Sequence, residues 1–253
     1  MKPLQNNRRR FIKHTVASVG LLSLPALLQA QPGRKAVAKK VVCVGAHPDD
    51  PETGCGGTLA RLARAGHRVT IIYLTAGEAG ITGASHTEAA RIRTQEGINA
   101  CKILEAKPVF AGQTDGATEV NNEWLKKMRE LIVFESPDII FTHWPVDYHP
   151  DHQVAGLLTI QAWMKEERKF GLYFYEVQTG LQTALFHPTD YVDITGTVEQ
   201  KWKAVYCHKS QDPSGIEASG HRTMENFRGL ELGVKAAEAF VRMTGRLQGE
   251  INI

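Results

Sequence analysis

The sequence predicts an α/β fold, one domain with a mostly parallel sheet and helices on both faces. Three observations lead there. Short apolar runs alternate with longer amphipathic stretches along most of the chain. The apolar runs lack the in-and-out alternation of a half-exposed strand, so they read as strands buried on both faces. The 253 residues fall to about 223 once an export-like N-terminus is set aside, which favours one domain over two.

Each element follows from its local pattern. Val41 to Gly45 is a continuous apolar run and reads as the first strand. Thr58 to Ala65 reads as a helix, and Val69 to Leu74 as the second strand. From Glu88 to Leu104, the spacing of Ala89, Ile92, Ile98, Cys101 and Leu104 gives a helix with one buried stripe. Val109-Phe110 is a short strand. Asn122 to Glu135 is a helix that Pro137 stops. Asp138 to Thr142 is a strand and Gln153 to Glu167 a helix. Later strands are expected at Leu172–Val177 and Tyr191–Ile194, and later helices at Val198–Tyr206 and Glu231–Arg242. The order is Rossmann-like. In such sheets ligands bind beyond the carboxyl ends of the strands, which directs attention to the loops after Gly45, Thr75 and Thr142.

The balance of 30 Lys and Arg against 27 Asp and Glu gives a net charge of +3. Five of the bases, Lys2, Arg8, Arg9, Arg10 and Lys13, lie in residues 1–30 with no acid. The remaining 25 bases face 27 acids, a net of −2, so the basicity belongs to the N-terminus alone. A basic start, an apolar stretch from Thr15 to Leu28 and a small residue at Ala30 resemble a secretory signal. The arginine run before Phe11-Ile12-Lys13 resembles a twin-arginine signal, which implies export to the periplasm or cell envelope. The apolar stretch is shorter than the ~20 residues of a spanning helix, and Pro25 breaks it, so no permanent membrane span is expected. Residues 31–39 read as a polar linker and 40–253 as the functional domain. No Lys/Arg run interleaved with aromatics survives there, which excludes a nucleic-acid partner from the expectation. Cys43, Cys55, Cys101 and Cys207 are scattered without a C-x-x-C pair and are expected as buried free thiols.

Two polar clusters carry chemistry. The first, Ala46-His47-Pro48-Asp49-Asp50-Pro51-Glu52, follows the first strand. Adjacent side chains in a turn point apart, so one aspartate can bind a metal while the other faces a water. So many ionisable groups together repel unless a cation or protons offset them. The second, Asp147-Tyr148-His149-Pro150-Asp151-His152, follows the strand ending at Thr142. Together they offer His47, Asp50 and one of the two second-loop histidines. A two-His, one-carboxylate set with an open position suits catalytic Zn²⁺ or another divalent ion such as Fe²⁺. Asp49 is then placed to act as general base, and the spare histidine to polarise or protonate.

At these residues the chain resembles the PIG-L/LmbE-like family of metal-dependent N-acetylglucosaminyl deacetylases. The family's Ala-His-Pro-Asp-Asp and His-Pro-Asp-His motifs stand intact as Ala46–Asp50 and His149–His152. Weaker support comes from Leu74 to Gly80, Arg93-Thr94-Gln95-Glu96 and His208-Lys209-Ser210-Gln211. The resemblance runs from about Val41 to the C-terminal helix. It implies His47, Asp50 and His152 as metal ligands and Asp49 as base. It also implies that His149 serves the oxyanion or the leaving amine, with Asp151 orienting it. Some members carry a tyrosine two positions before the first histidine of the second motif; here that position is Asp147, and Tyr148 receives no catalytic role. Arg93 and Trp144 are candidate sugar contacts, although Arg93 could equally pair with Glu96 on its helix face. His67, His86, His143, His187 and His221 lack a partner motif and read as structural or exposed, and Trp124, Trp163 and Trp202 as packing residues. The resulting expectation is an exported zinc hydrolase that removes acetyl from an N-acetylated amino sugar or glycoconjugate. Another amide, such as a sugar-thiol conjugate, is the alternative within that chemistry. A metal-bearing sugar-binding protein without turnover would not need Asp49. The loops Gly77–His86 and Gln211–Met224 would set the substrate, and no feature sets the oligomeric state.

Overall fold

A computed structural model describes residues 37–179 and 181–244. The expected export signal, and the linker up to residue 36, lie outside the described residues. The strands are β1 (Lys40–Gly45), β2 (Arg68–Thr75), β3 (Ala106–Gln113), β4 (Ile139–His143), β5 (Gly171–Tyr175), β6 (Asp190–Asp193) and β7 (Ala237–Met243). The helices are α1 (Asp50–Arg64), α2 (His86–Leu104), α3 (Asn122–Glu135), α4 (Pro150–Lys165), α5 (Val198–Val205), a short α6 (Pro213–Ile216) and α7 (Arg222–Leu232).

They form one seven-stranded sheet in the order β3-β2-β1-β4-β5-β7-β6. The first five strands are parallel, as expected, and β7 runs antiparallel to both β5 and β6. One face packs Leu59, Cys101 and Ala204 from α1, α2 and α5, and the other packs Met128 and Leu158 from α3 and α4. Cys43, Cys55 and Cys101 are buried free thiols, and Cys207 is half-buried and free. No helix among the described residues is long and apolar enough to cross a membrane. Strand order reverses direction between β1 and β4, which are hydrogen-bonded neighbours. This switch point opens a crevice at their carboxyl ends, and both polar motifs begin there.

Two elements differ from expectation. Helix α1 begins at Asp50 rather than Thr58. Gly54, Gly56 and Gly57 are poor helix formers, but the packing requires small residues there: a Cβ on Gly54 would run into the Tyr175 ring. The segment expected as a helix over Glu231–Arg242 is divided. Helix α7 ends at Gly233, whose φ is 80°, and β7 follows, buried from Ala237 to Phe240. Burial between β5 and β6 overrides the helical leaning of its alanines and glutamate.

Beneath α1 lies a buried charge cluster. Lys201 Nζ stands 2.7 Å from Glu225 and 2.8 Å from Glu238. Glu238 also accepts the backbone N–H groups of Gly57 and Thr58 inside α1 (2.9 and 2.7 Å), and Glu225 accepts Trp202 Nε1–H at 3.0 Å.

Candidate metal centre

Four βα loops converge on a cavity of about 500 Å³ at the carboxyl end of the sheet. The β1–α1 turn supplies His47, Asp49 and Asp50, and the start of α4 supplies His149, Asp151 and His152. Asp50 sits at the centre. Its Oδ2 is 3.2 Å from His47 Nδ1 and its Oδ1 is 3.2 Å from His152 Nε2. The other ring nitrogen of each histidine is held by a carboxylate. His47 Nε2 meets Asp151 and Asp115, both at 3.1 Å, and His152 Nδ1 meets Asp147 at 3.2 Å. Such carboxylate–histidine pairs fix the tautomer and orientation of a metal-binding imidazole.

The electrostatics are those of a charge-dense pocket. Burial disfavours the cationic form of His152, but Asp50 and Asp147 outweigh it and raise its pKa to about 9. His47 rises for the same reasons, with Asp50, Asp115 and Asp151 as its partners. Burial would raise Asp50, but His152, His143 and His47 hold it well below the usual carboxylate range. The carboxylates around His47 and His152 thus favour positive charge beside Asp50.

Asp49 caps α1 with φ 120° and ψ −31°, a strained backbone for a residue with a Cβ. Its N–H donates to Glu52 Oε2 at 3.2 Å, Arg93 Nη2 donates to its Oδ2 at 2.9 Å, and the same guanidinium nitrogen donates to Pro48 O at 2.6 Å. Glu52 is itself buried and accepts Tyr73 O–H at 2.5 Å, with His208 Nε2 at 3.3 Å. Burial and the Asp50 charge raise the Asp49 pKa, and Arg93 opposes them.

His149 Nδ1 accepts the Asp151 N–H at 3.3 Å, so the proton of the neutral ring sits on Nε2. Burial and the neighbouring histidines keep its pKa low.

Six of the expected residues therefore meet in one place: His47, Asp49, Asp50, His149, Asp151 and His152. Asp151 does not orient His149 through its side chain as expected. That carboxylate is engaged by His47, by Gly116 N–H at 2.8 Å and by Thr118 Oγ1 at 2.6 Å. Arg93 lines the cavity but is committed to Asp49, and it does not pair with Glu96, which binds Ser210 instead. Trp144 lies outside the cavity wall. Its ring packs against Phe174 and Phe186, and its Nε1–H donates to Ala184 O at 3.0 Å. Tyr148 is exposed and not in the wall.

Three residues at the cavity were not singled out for the site. Asp115 follows β3 and pairs with His47. His143 closes β4, fully buried and stacked on His152 with ring centroids 4.0 Å apart. His143 Nε2 lies near Asp50, but it accepts the Ala46 N–H at 3.0 Å, so that lone pair is not offered to a metal. Consistently, burial and His152 lower its pKa to about 4. His221 forms part of the wall.

Comparison with known proteins agrees with this geometry. Residues 42–163 match the family model described as GlcNAc-PI de-N-acetylase, PIG-L. The diacetylchitobiose deacetylase of Thermococcus kodakarensis is 32% identical over 221 residues, 75% of this chain and 82% of that protein. Among solved structures, the N,N'-diacetylchitobiose deacetylase of Pyrococcus horikoshii superposes with a TM-score of 0.72 at 29% identity, covering 82% of this chain and 84% of that one. A conserved protein of Thermus thermophilus also gives 0.72, at 30% identity, covering 85% and 99%. The matched region begins in β1 and ends in α4, enclosing both motifs that build the crevice, and this chain belongs to the PIG-L, or GlcNAc-PI de-N-acetylase, family.

Proposed function

We propose that the protein is a metal-dependent hydrolase that removes the N-acetyl group from an N-acetylated amino sugar or glycoconjugate, with Zn²⁺ held by His47, Asp50 and His152. The observation that carries this is Asp49, a strained, half-buried carboxylate beside that donor set and in the same cavity. A binding protein has no use for it. Relatives named as deacetylases of acetylated sugars support the substrate class.

Two imidazoles that each contact one carboxylate form a donor set suited to a divalent cation of borderline softness. Bound there, the cation supplies Lewis acidity to the amide carbonyl and to the attacking water. Asp49 takes the proton from that water, and Arg93 fixes which oxygen of Asp49 faces the cavity. His149 Nε2–H steadies the charge that develops on the carbonyl oxygen. As the C–N bond breaks, the amine nitrogen takes the proton that Asp49 holds, and acetate and the free amine leave.

The test is the purified chain with Zn²⁺, offered N-acetylglucosamine and N,N'-diacetylchitobiose, with acetate and free amine followed. Absence of both products would sink the deacetylase reading. Metal content checks the ligand set: His47→Ala and His152→Ala should each weaken Zn²⁺ binding at least about 100-fold, and full retention in both would overturn it. On the pattern of residues 1–30 we also propose a cell-envelope location. Changing Arg8, Arg9 and Arg10 to Lys should leave the protein inside the cell on fractionation, and undiminished export would contradict it.

A further inference from the structure

We propose that His221 is a specificity residue of the catalytic cavity, recognising a hydroxyl group on the amino-sugar ring; this rests on the deacetylase reading above. His221 ends the π-helical turn Glu217–His221 that leads into α7. It is 6% exposed, lines the cavity, and has an Nδ1 that is buried without a hydrogen-bond partner among the described residues. With no protein partner on Nδ1 the ring's tautomer is not fixed, so the part that lines the cavity can donate to a ligand or accept from it.

The backbone is built to present this ring. Gly220, just before it, has φ 126°, a conformation that a residue with a Cβ rarely adopts. Ser219 is held by Gln178, whose Nε2–H donates to its carbonyl at 2.5 Å. Glu217 is braced by the Tyr206 hydroxyl at 2.7 Å and by Arg222 at 2.6 Å. None of these contacts uses the imidazole, so the wall stands without it. Other polar side chains of the wall are already engaged: Gln211 donates to Gly80 O and Arg93 to Asp49.

The ring's charge state selects the ligand. Burial, aided by the Lys201 charge, lowers its pKa to about 4, so at neutral pH it is an uncharged imidazole with one donor and one acceptor. A hydroxyl also donates and accepts, so it can pair with the ring in either tautomer, whereas a carboxylate or an ammonium suits only one. A cavity of about 500 Å³ is of a size for drug-like ligands, which leaves room for the hydroxyl-bearing ring beside the acetamide.

The experiment compares His221→Phe, which keeps a ring but no hydrogen bond, with His221→Gln, which keeps a donor and an acceptor. Both are made in the full chain loaded with Zn²⁺, with N,N'-diacetylchitobiose as substrate. His221→Phe should raise KM about tenfold, as for a lost hydrogen bond, with metal content and Tm held and the loss in KM rather than kcat. His221→Gln should recover most of it. Binding is also measured by calorimetry in an Asp49→Ala background, where turnover is not needed. Weaker disaccharide binding by His221→Phe there, without turnover in the wild type, supports the subsite while the deacetylase reading falls. An unchanged KM in an active enzyme overturns the subsite alone. Loss of metal or of Tm together with kcat assigns His221 a structural role instead. No disaccharide binding at all overturns both.

Discussion

Replacing Asp49 with Ala is expected to lower kcat by about 100- to 10,000-fold, the range of a lost general base, while zinc stays bound. Asp49 stands outside the proposed ligand set, its carboxylate tied to Arg93 and its N–H to Glu52. Asp49→Asn should fall nearly as far, because an amide keeps the shape but cannot accept the water's proton. Steady-state kinetics with metal analysis of the same samples checks this, and wild-type activity in either variant would remove Asp49 from the mechanism. Asp49→Gly separates the two properties of this position. Glycine adopts φ 120° without strain, so this variant should be no less stable than Asp49→Ala while equally inactive, read by urea unfolding beside the kinetic assay.

The largest effect on stability is expected at Lys201. Lys201→Met should destabilise the fold by about 3–5 kcal/mol, the cost of leaving a buried partner unpaired. Lys201 is 1% exposed and stands between Glu225 and Glu238, themselves nearly inaccessible. With the ammonium gone, two buried carboxylates lose the cation between them. Urea unfolding of the variant beside the wild type measures the deficit. A change within about 0.5 kcal/mol, the usual effect of a surface substitution, would show that the cluster is not coupled to folding.

Much of the parallel half of the fold was legible because its strands are buried on both faces and announce themselves as unbroken apolar runs. The antiparallel half was not. Residues 231–242 carry the composition of a helix, and only the neighbours β5 and β6, distant in sequence, make Ala237–Met243 a strand. The site divides in the same way. His47, Asp49, Asp50, His149 and His152 sit in dense local motifs, whereas Asp115 and His143 are single residues whose meaning comes from position. His143 ends a strand at the carboxyl edge, and no neighbouring motif marks it. Asp115 was hidden because β3 lies at the sheet edge, where Lys107, Pro108 and Gln113 interrupt the apolar run. Read as Val109-Phe110 alone, that strand ends too early to place Asp115 in its following loop.

The position of β3 and β6 at the two margins of the sheet has a consequence for the protein in crowded surroundings. Among the described residues each has one side with no strand partner, and such margins invite other chains to zip on. On β3, Pro108 offers no N–H and Lys107 brings a charge, both unfavourable to an added strand. The other margin is four residues long and bounded by Asp190 and Asp193. A newly made chain is thereby protected at both ends of its sheet from aggregating edge to edge with its copies.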